Sequence, residues 1–270
     1  MSQTIFITGA STGLGRATAL LFASKGWKVI ATMRSPDKET ELGKVPGVTV
    51  MGLDVTNPAQ IAETAKAAVA LGPIDVLFNN AGYGLAGAFE GATDAQLVDQ
   101  LNTNLLGVMR VTQAFLPALR EQGKGTIITT TSIGGLVAFP FNSVYHATKW
   151  GLEGWSESLA FELEPFGVKV KTIAPGGIST DFAGRSLVFT THPAYMEAIG
   201  KTMAAFSDPN RRSSSSTAEQ VAQAVYDAVI DDADRITYVA GEDAKANYAQ
   251  RLAVGIDTFR AGIKQMFLGG

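Results

Sequence analysis

The sequence predicts an α/β protein: a doubly wound parallel sheet of about seven strands with helices on both faces, built as one domain. Three observations carry this. Short apolar runs alternate with longer amphipathic ones along most of the 270 residues. The short runs are apolar throughout rather than at every second residue, the pattern of strands buried on both faces. No linker or shift in composition divides the chain.

Taken in order, residues 4–7 are β-branched and aromatic and read as a first buried strand. Thr8-Gly9-Ala10-Ser11-Thr12-Gly13-Leu14-Gly15 follows, and then residues 16–23, apolar at helical spacing and stopped by Gly26. Strand, glycine-rich turn and helix together form the unit that cradles a dinucleotide. Gly9 lets the turn close, Gly13 lets backbone approach a phosphate, and Gly15 lets helix pack on strand. Ser11, Thr12 and Leu14 complete the cradle, and the helix N-terminus offers N–H groups and partial positive charge to a pyrophosphate. The spacing is G-x-x-x-G-x-G rather than the commoner G-x-G-x-x-G. Alone it leaves a cofactor cradle and an ordinary tight turn both open.

Residues 27–32 and 48–53 read as the second and third strands. Asn57-Pro58 opens a helix through about residue 71, with Pro58 where a missing N–H does no harm. Residues 74–78 are a fourth strand and 94–120 a long amphipathic helix, with Pro117 expected to bend its last turn. A strand at 126–130, a helix at 143–166 and a strand at 168–173 continue the alternation. A helix at 217–231, a strand at 236–240 and helical segments to the terminus complete it. Residues 179–216 break the pattern. They carry Phe182, Phe189, Tyr195, Phe206, Met196 and Met203, then Arg211-Arg212-Ser213-Ser214-Ser215-Ser216. Such a segment after a sheet strand is expected to be a lid over a ligand, with the serines as its hinge.

Composition excludes several classes. With 46% apolar residues the chain can build an ordinary globular core. A net charge of −3 gives no basic footprint for nucleic acid. There are no cysteines, so disulfides and thiolate metal sites are ruled out. No His/Asp/Glu cluster has metal-ligand spacing, and no metal is expected. No run of 18 apolar residues that would span a membrane occurs, and with a first strand read at residue 4 no signal peptide is expected. A cytoplasmic protein is the expectation.

Tyr145 and Lys149 stand four apart on the helix at 143–166, on one face. A phenol has a pKa of about 10 and exchanges protons poorly near neutrality. A cation one turn away, and the positive charge of an oxidised nicotinamide, would lower that pKa and make an acid/base for an alcohol or carbonyl. Alone, the pair reads equally as a surface Tyr and Lys. Ser132, just beyond the strand at 126–130, adds a hydroxyl able to bond a substrate oxygen.

Together these residues resemble the short-chain dehydrogenase/reductase family, in its single-domain oxidoreductase branch. The likeness runs over about residues 3–182 and rests on ordered motifs: Thr8 to Gly15, Asp54-Val55, Asn79-Asn80-Ala81-Gly82, Asn104, Ser132, Tyr145 with Lys149, and Pro175-Gly176. It implies a Rossmann-type fold with Tyr145 as general acid/base, Ser132 orienting the reacting oxygen, and Lys149 on the nicotinamide ribose. It further implies that Asn104, with Asn102 as competitor, anchors a proton-relay water at a local break in the long helix. Asp54 would accept from the adenine amino group and Asn80 would sit beside the adenosine ribose. Asn79 reads equally as a tie between strand ends. Ile178 through backbone and Thr180 through hydroxyl would contact the nicotinamide carboxamide. Relatives commonly pair through the two long helices, which implies a homodimer or homotetramer.

Cofactor choice is read after the second strand, where an acid suits the 2′-hydroxyl of NAD and arginine a 2′-phosphate. The chain reads Ala31-Thr32-Met33-Arg34-Ser35, with no carboxylate until Asp37. Arg34 therefore predicts NADP(H). His146 faces about 100° away from Tyr145 and reads as structural. His192 lies in the expected lid, and Trp150 and Trp155 suit packing or a subunit interface. The expected function is an NADP(H)-dependent interconversion of alcohol and ketone or aldehyde. The substrate would be small and apolar, in a pocket lined from 82–88, 133–141 and 182–206. A catalytically silent dinucleotide sensor on the same fold is the alternative. An isomerase or dehydratase would use a longer substrate domain.

Overall fold

The computed structural model describes residues 2–179, 186–208 and 215–269. Among these, seven strands make one parallel sheet: β1 (Thr4–Ile7), β2 (Lys28–Met33), β3 (Val48–Gly52), β4 (Val76–Asn79), β6 (Gly125–Thr130), β7 (Val168–Pro175) and β9 (Thr237–Ala240). The spatial order is β3-β2-β1-β4-β6-β7-β9. It reverses between β1 and β4, which opens a crevice at their carboxyl ends, where such sheets bind ligands.

β1 shows why the strands must be apolar at every residue. Ile5 and Ile7 pack with Leu14, Ala19 and Phe22 of helix α1 (Gly13–Ser24) and with Val221 and Val225 of the helix Ala218–Ile230. Phe6 faces the other way, onto Ile61 of α2 (Pro58–Ala70), Phe115 of α4 (Gly107–Gln122) and Leu159 of α5 (Ser143–Leu163). The two faces of one strand thus serve two cores. A third apolar cluster joins Ile133 and Val137 to Phe259, Ile263 and Phe267 of the C-terminal helix Ile256–Leu268.

Local signals set the element ends. Asn57 caps α2 by accepting from the Gln60 amide, with Pro58 in the first turn. Thr93 and Gln96 form a reciprocal capping box at α3 (Asp94–Leu101). The helix expected at 94–120 is in fact α3, a π turn over Asn102–Leu106, and α4, which accommodates Pro117 and runs on to Gln122. α1 begins at Gly13, inside the glycine-rich run rather than after it.

Two short strands were not foreseen. β5 (Gly84–Gly87) and β8 (Leu187–Thr190) form a separate parallel pair, in register from Gly84 with Leu187 to Gly87 with Thr190. The Thr190 hydroxyl donates to the Ala88 carbonyl at 2.8 Å, and Gly87, at φ +114°, leaves no room for a Cβ beside the Thr190 carbonyl. Residues 187–190, expected within a lid, are thus tied to the loop after β4. The helix Met196–Phe206 follows, its Phe206 against Phe267 with ring centroids 4.7 Å apart.

Lys171 is the fold's other surprise, a lysine 1% exposed in the middle of β7. Its ammonium donates to the carbonyls of Ala228 (2.8 Å) and Asp231 and to the Tyr238 hydroxyl, closing the C-terminal end of the helix Ala218–Ile230. A cation suits the negative end of a helix dipole. Among the described residues no helix is long and apolar enough to cross a membrane, and no cluster of His, Asp and Glu could hold a metal ion.

Candidate active site

The residues singled out in the sequence converge on the carboxyl ends of β1, β4, β6 and β7. Leaving β1, the chain turns at Gly9 (φ +67°), where a Cβ would press 2.8 Å from Ala81 Cα. Gly13 (φ +54°) begins α1, and a Cβ on Gly15 would overlap the Gly9 carbonyl. Thr12 stands at the N-cap in extended conformation without a side-chain cap, and the first turn of α1 holds no acid. The amides of that helix end have no side-chain cap and no carboxylate in the first turn competing for them, the arrangement that receives an anion.

Asn80 holds this turn in place. Its Nδ2 donates to the carbonyls of Thr8 and Gly9, both at 3.1 Å, its amide donates to Thr8 Oγ1 at 2.9 Å, and its Oδ1 accepts from Thr130 Oγ1 at 3.4 Å. The tie between strand ends considered for Asn79 is therefore made by Asn80. Asn79 is buried and donates to Thr112 of α4 at 2.9 Å.

At the outer edge of the crevice Arg34 is exposed, just past β2. Asp54 lies close enough for its carboxylate to feel the guanidinium. Burial works against its charge, but the Thr56 amide and hydroxyl and the Arg34 guanidinium outweigh that, so its pKa lies below the ordinary carboxylate value.

The reactive groups lie on α5 and the turn after β6. Tyr145 and Lys149 share a face, with Lys149 Nζ 5.7 Å from the centre of the phenol ring. Lys149 is 5% exposed and donates to the Thr130 carbonyl at 2.7 Å. Burial lowers its pKa from 10.5 to about 8, opposed by the attraction of Glu153 one turn further on. Ser132 Oγ accepts from the Gly134 amide at 3.0 Å, and its hydrogen bonding to the Tyr145 phenol favours the phenolate. Burial prevails over it, and the phenol's pKa lies above its ordinary value. The lowering expected from Lys149 does not prevail: desolvation governs Tyr145.

Glu153 was not singled out, though its place four residues after Lys149 marked it. Its Oε2 accepts from the hydroxyls of Thr172 (2.9 Å) and Thr237 (3.2 Å). Burial raises its pKa, while the Thr131, Thr172 and Thr237 hydroxyls and Lys149 pull it down less strongly.

Asn104 sits in the π turn, 1% exposed, whereas Asn102 is half-buried. Its Oδ1 accepts from the Tyr83 amide at 3.0 Å and its Nδ2 donates to the Tyr83 carbonyl at 2.7 Å. Both side-chain atoms are thus committed to the loop that follows β4. Ile178 lies three residues past β7 and bridges to Ser216; Thr180, Phe182 and Arg211 to Ser214 lie outside the described residues.

The remaining candidates make packing and local contacts. Burial lowers the His146 pKa to about 4, so the ring is neutral near pH 7, and it rests 6.2 Å from the Phe139 ring. A Cβ on Gly134 would strike that imidazole. His192 Nδ1 accepts from the Ala194 amide at 3.3 Å, and its Nε2 lies 3.7 Å from Glu90. Trp155 packs into the core beneath α4 and α5, while Trp150 is exposed under the Arg251 guanidinium at 5.1 Å.

Comparison with known proteins agrees with this geometry. The family model described as short chain dehydrogenase matches residues 3–187. A 3-ketodihydrosphingosine reductase of Bacteroides thetaiotaomicron is 41% identical over 181 residues, 67% of this chain and 65% of that protein. The structure of a short-chain dehydrogenase from Streptomyces avermitilis superimposes with a TM-score of 0.85 at 33% identity, over 98% of this chain and 96% of that one. A short chain dehydrogenase from Burkholderia cenocepacia, solved in complex with NADP, gives 0.78 at 25% identity over 97% of both chains. A family model covering more than half of the chain, and a fold shared along nearly all of it, lead to one conclusion: the chain belongs to the short-chain dehydrogenase/reductase family, oxidoreductases whose general activity is on CH–OH groups with NAD(P).

Proposed function

We propose that the chain is an NADP(H)-dependent oxidoreductase that interconverts a small apolar alcohol with its ketone or aldehyde. The observation that carries this reading is the shared face of Tyr145, Lys149 and Ser132 at the carboxyl edge of the sheet, beside an uncapped helix N-terminus. When bound, NADP(H) supplies or accepts the hydride. The turn of Gly9, Ser11, Thr12, Gly13, Leu14 and Gly15 would hold its pyrophosphate. Arg34 is exposed just past β2 and near enough to Asp54 to lower its pKa, and its guanidinium would take a 2′-phosphate there. Asp54 would take the adenine amino group, Asn80 would lie beside the adenosine ribose, and Ile178 and Thr180 would meet the carboxamide. The NADP complex of the Burkholderia neighbour supports the choice of cofactor.

Tyr145 does the proton work. Its raised pKa keeps the phenol protonated at neutral pH, the form that gives a proton to a carbonyl oxygen during reduction. Ser132 orients that oxygen. Lys149, near 8, remains cationic at neutral pH and would hold the ribose hydroxyls. Asn104, its side chain committed to Tyr83, would anchor the relay water through its backbone in the π turn, whose i→i+5 bonding differs from the helix on either side. Residues 179–216 would cover the substrate, and the exposed apolar residues of α3 to α5 would pair two or four copies. The dinucleotide-sensor alternative leaves the grouping of Ser132, Tyr145 and Lys149 without a purpose.

A panel of ketones and aldehydes, followed by NADPH absorbance, tests the activity, with Arg34→Ala as the test of cofactor choice. Charged hydrogen bonds contribute about 1.5–3 kcal/mol, so the variant should bind NADPH roughly 10- to 100-fold more weakly and leave NADH unchanged. Equal losses for both would refute the assignment. Silence across the whole panel would restore the sensor.

A further inference from the structure

The turn after β7 is held by a carboxylate that no sequence motif marks. β7 and β9 pair in parallel as far as Pro175 and Ala240, and the Gly176 amide donates to the Ala240 carbonyl at 3.0 Å. There the two segments part. One enters the turn of Gly176 to Ser179, and the other passes Gly241 (φ +98°) into the helix Glu242–Val254. Asp243, in the first turn of that helix, reaches back across the gap. Its Oδ2 accepts from the Gly177 amide at 2.7 Å. Its Oδ1 is buried against Gly176 and Gly241, with no hydrogen-bond partner among the described residues. A Cβ on Gly176 would overlap both carboxylate oxygens, and one on Gly241 would lie 2.7 Å from Oδ1. The backbone is pared to glycine on two sides to admit this one group. On its other edge the turn is stitched to Ser216: the Ser216 amide donates to Gly177 O at 2.9 Å and the Ser179 amide to Ser216 O at 2.8 Å.

We propose that Asp243 is a positioning residue for the nicotinamide end of the cofactor, fixing Gly177 and through it the backbone of Ile178. This rests on the reading of residues 175–180 as the nicotinamide contact. Burying a carboxylate oxygen without a partner is unfavourable, and a turn could be closed without it. Such a cost is tolerated where local geometry matters to function. The positive end of the helix Glu242–Val254 offsets part of it. What the bond removes is freedom: Gly176 and Gly177 are adjacent glycines, the residues with the widest choice of backbone conformation. A nicotinamide held by the next residue inherits whatever looseness they keep, and hydride transfer tolerates little misplacement.

The test separates the two ends of the cofactor. NADPH and 2′,5′-ADP, which lacks the nicotinamide half, are titrated against wild type, Asp243→Ala, Asp243→Asn and Gly176→Ala. Asp243→Ala should bind NADPH roughly tenfold more weakly while 2′,5′-ADP stays within about twofold. Asp243→Asn, whose amide oxygen still accepts from Gly177, should recover most of the loss. A merely structural role would lower the melting temperature and weaken both ligands alike; that result, or no change in either, overturns the inference. Should Asp243→Ala fail to fold, Gly176→Ala displaces the carboxylate sterically and must show the same selective loss; wild-type NADPH affinity there overturns the inference equally. Wild-type protein that binds neither ligand overturns the proposed function and this inference together, whereas wild-type binding with unselective variants overturns this inference alone.

Discussion

Replacing Lys149 by methionine tests the buried cation at the centre of the site. The lysine is 5% exposed, and burial brings its pKa from 10.5 to about 8. At about 1.36 kcal/mol per pKa unit, the folded chain carries a cost of roughly 3 kcal/mol for holding that charge out of water. The sign follows from proton binding. Below pH 8 the lysine is protonated in both folded and unfolded chains, and the full cost is present. Between pH 8 and 10.5 the unfolded lysine keeps its proton and the folded one has lost it, so wild-type stability rises with pH. The Lys149→Met variant has no such dependence. It leaves the Thr130 carbonyl without its 2.7 Å partner, which costs about 1–3 kcal/mol, so near pH 7 the two proteins should be of comparable stability. From pH 7 to 9.5 the difference should then move by about 2 kcal/mol in favour of wild type. Urea denaturation at both pH values, read as the midpoint at constant m, measures it. A difference that stays the same at both pH values would refute the claim that a buried charge sits at this position.

Three further outcomes are expected. Tyr145→Phe should keep NADPH affinity and lose turnover by about 10²–10⁴, the usual worth of a general acid; wild-type turnover would remove Tyr145 from that role. Lys171→Met removes the ammonium bonds to two helix-end carbonyls, while the Tyr238 hydroxyl keeps its bond to Asp231, and should cost about 2–4 kcal/mol in urea denaturation, with NADPH titration unchanged. Thr190→Val keeps the shape but loses the bonds to Ala86 and Ala88, so amide hydrogen exchange at residues 84–88 should quicken while β1 and β4 stay protected. Unchanged exchange there would mean that the β5–β8 pair is held by backbone alone.

The sheet was legible because its burial leaves strands no alternative. Ile5, Phe6 and Ile7 face two cores in turn, so the run had to be apolar throughout. The glycine-rich turn, Ser132, and the Tyr145–Lys149 spacing were legible for a similar reason: each depends on contacts within one element or across its ends. The π turn was foreseen only as a break near Asn104, because a local sequence marks an irregularity more readily than its kind. β5 escaped notice because Gly84-Leu85-Ala86-Gly87 has no strand propensity of its own and is a strand only when Leu187–Thr190 lies beside it.

By itself, then, the amino-acid order determined an α/β chain of buried strands, the identity of the groups at their carboxyl ends, and the basic residue after β2. Tertiary structure alone decided the environment of those groups. Whether Lys149 or burial governs the Tyr145 phenol depends on how much water the surrounding elements exclude, and burial prevails. That Asp243 meets Gly177 across 66 residues depends on β7 and β9 ending side by side. Solvent exclusion and contacts between distant segments arise only when the chain closes on itself, and no local pattern encodes them.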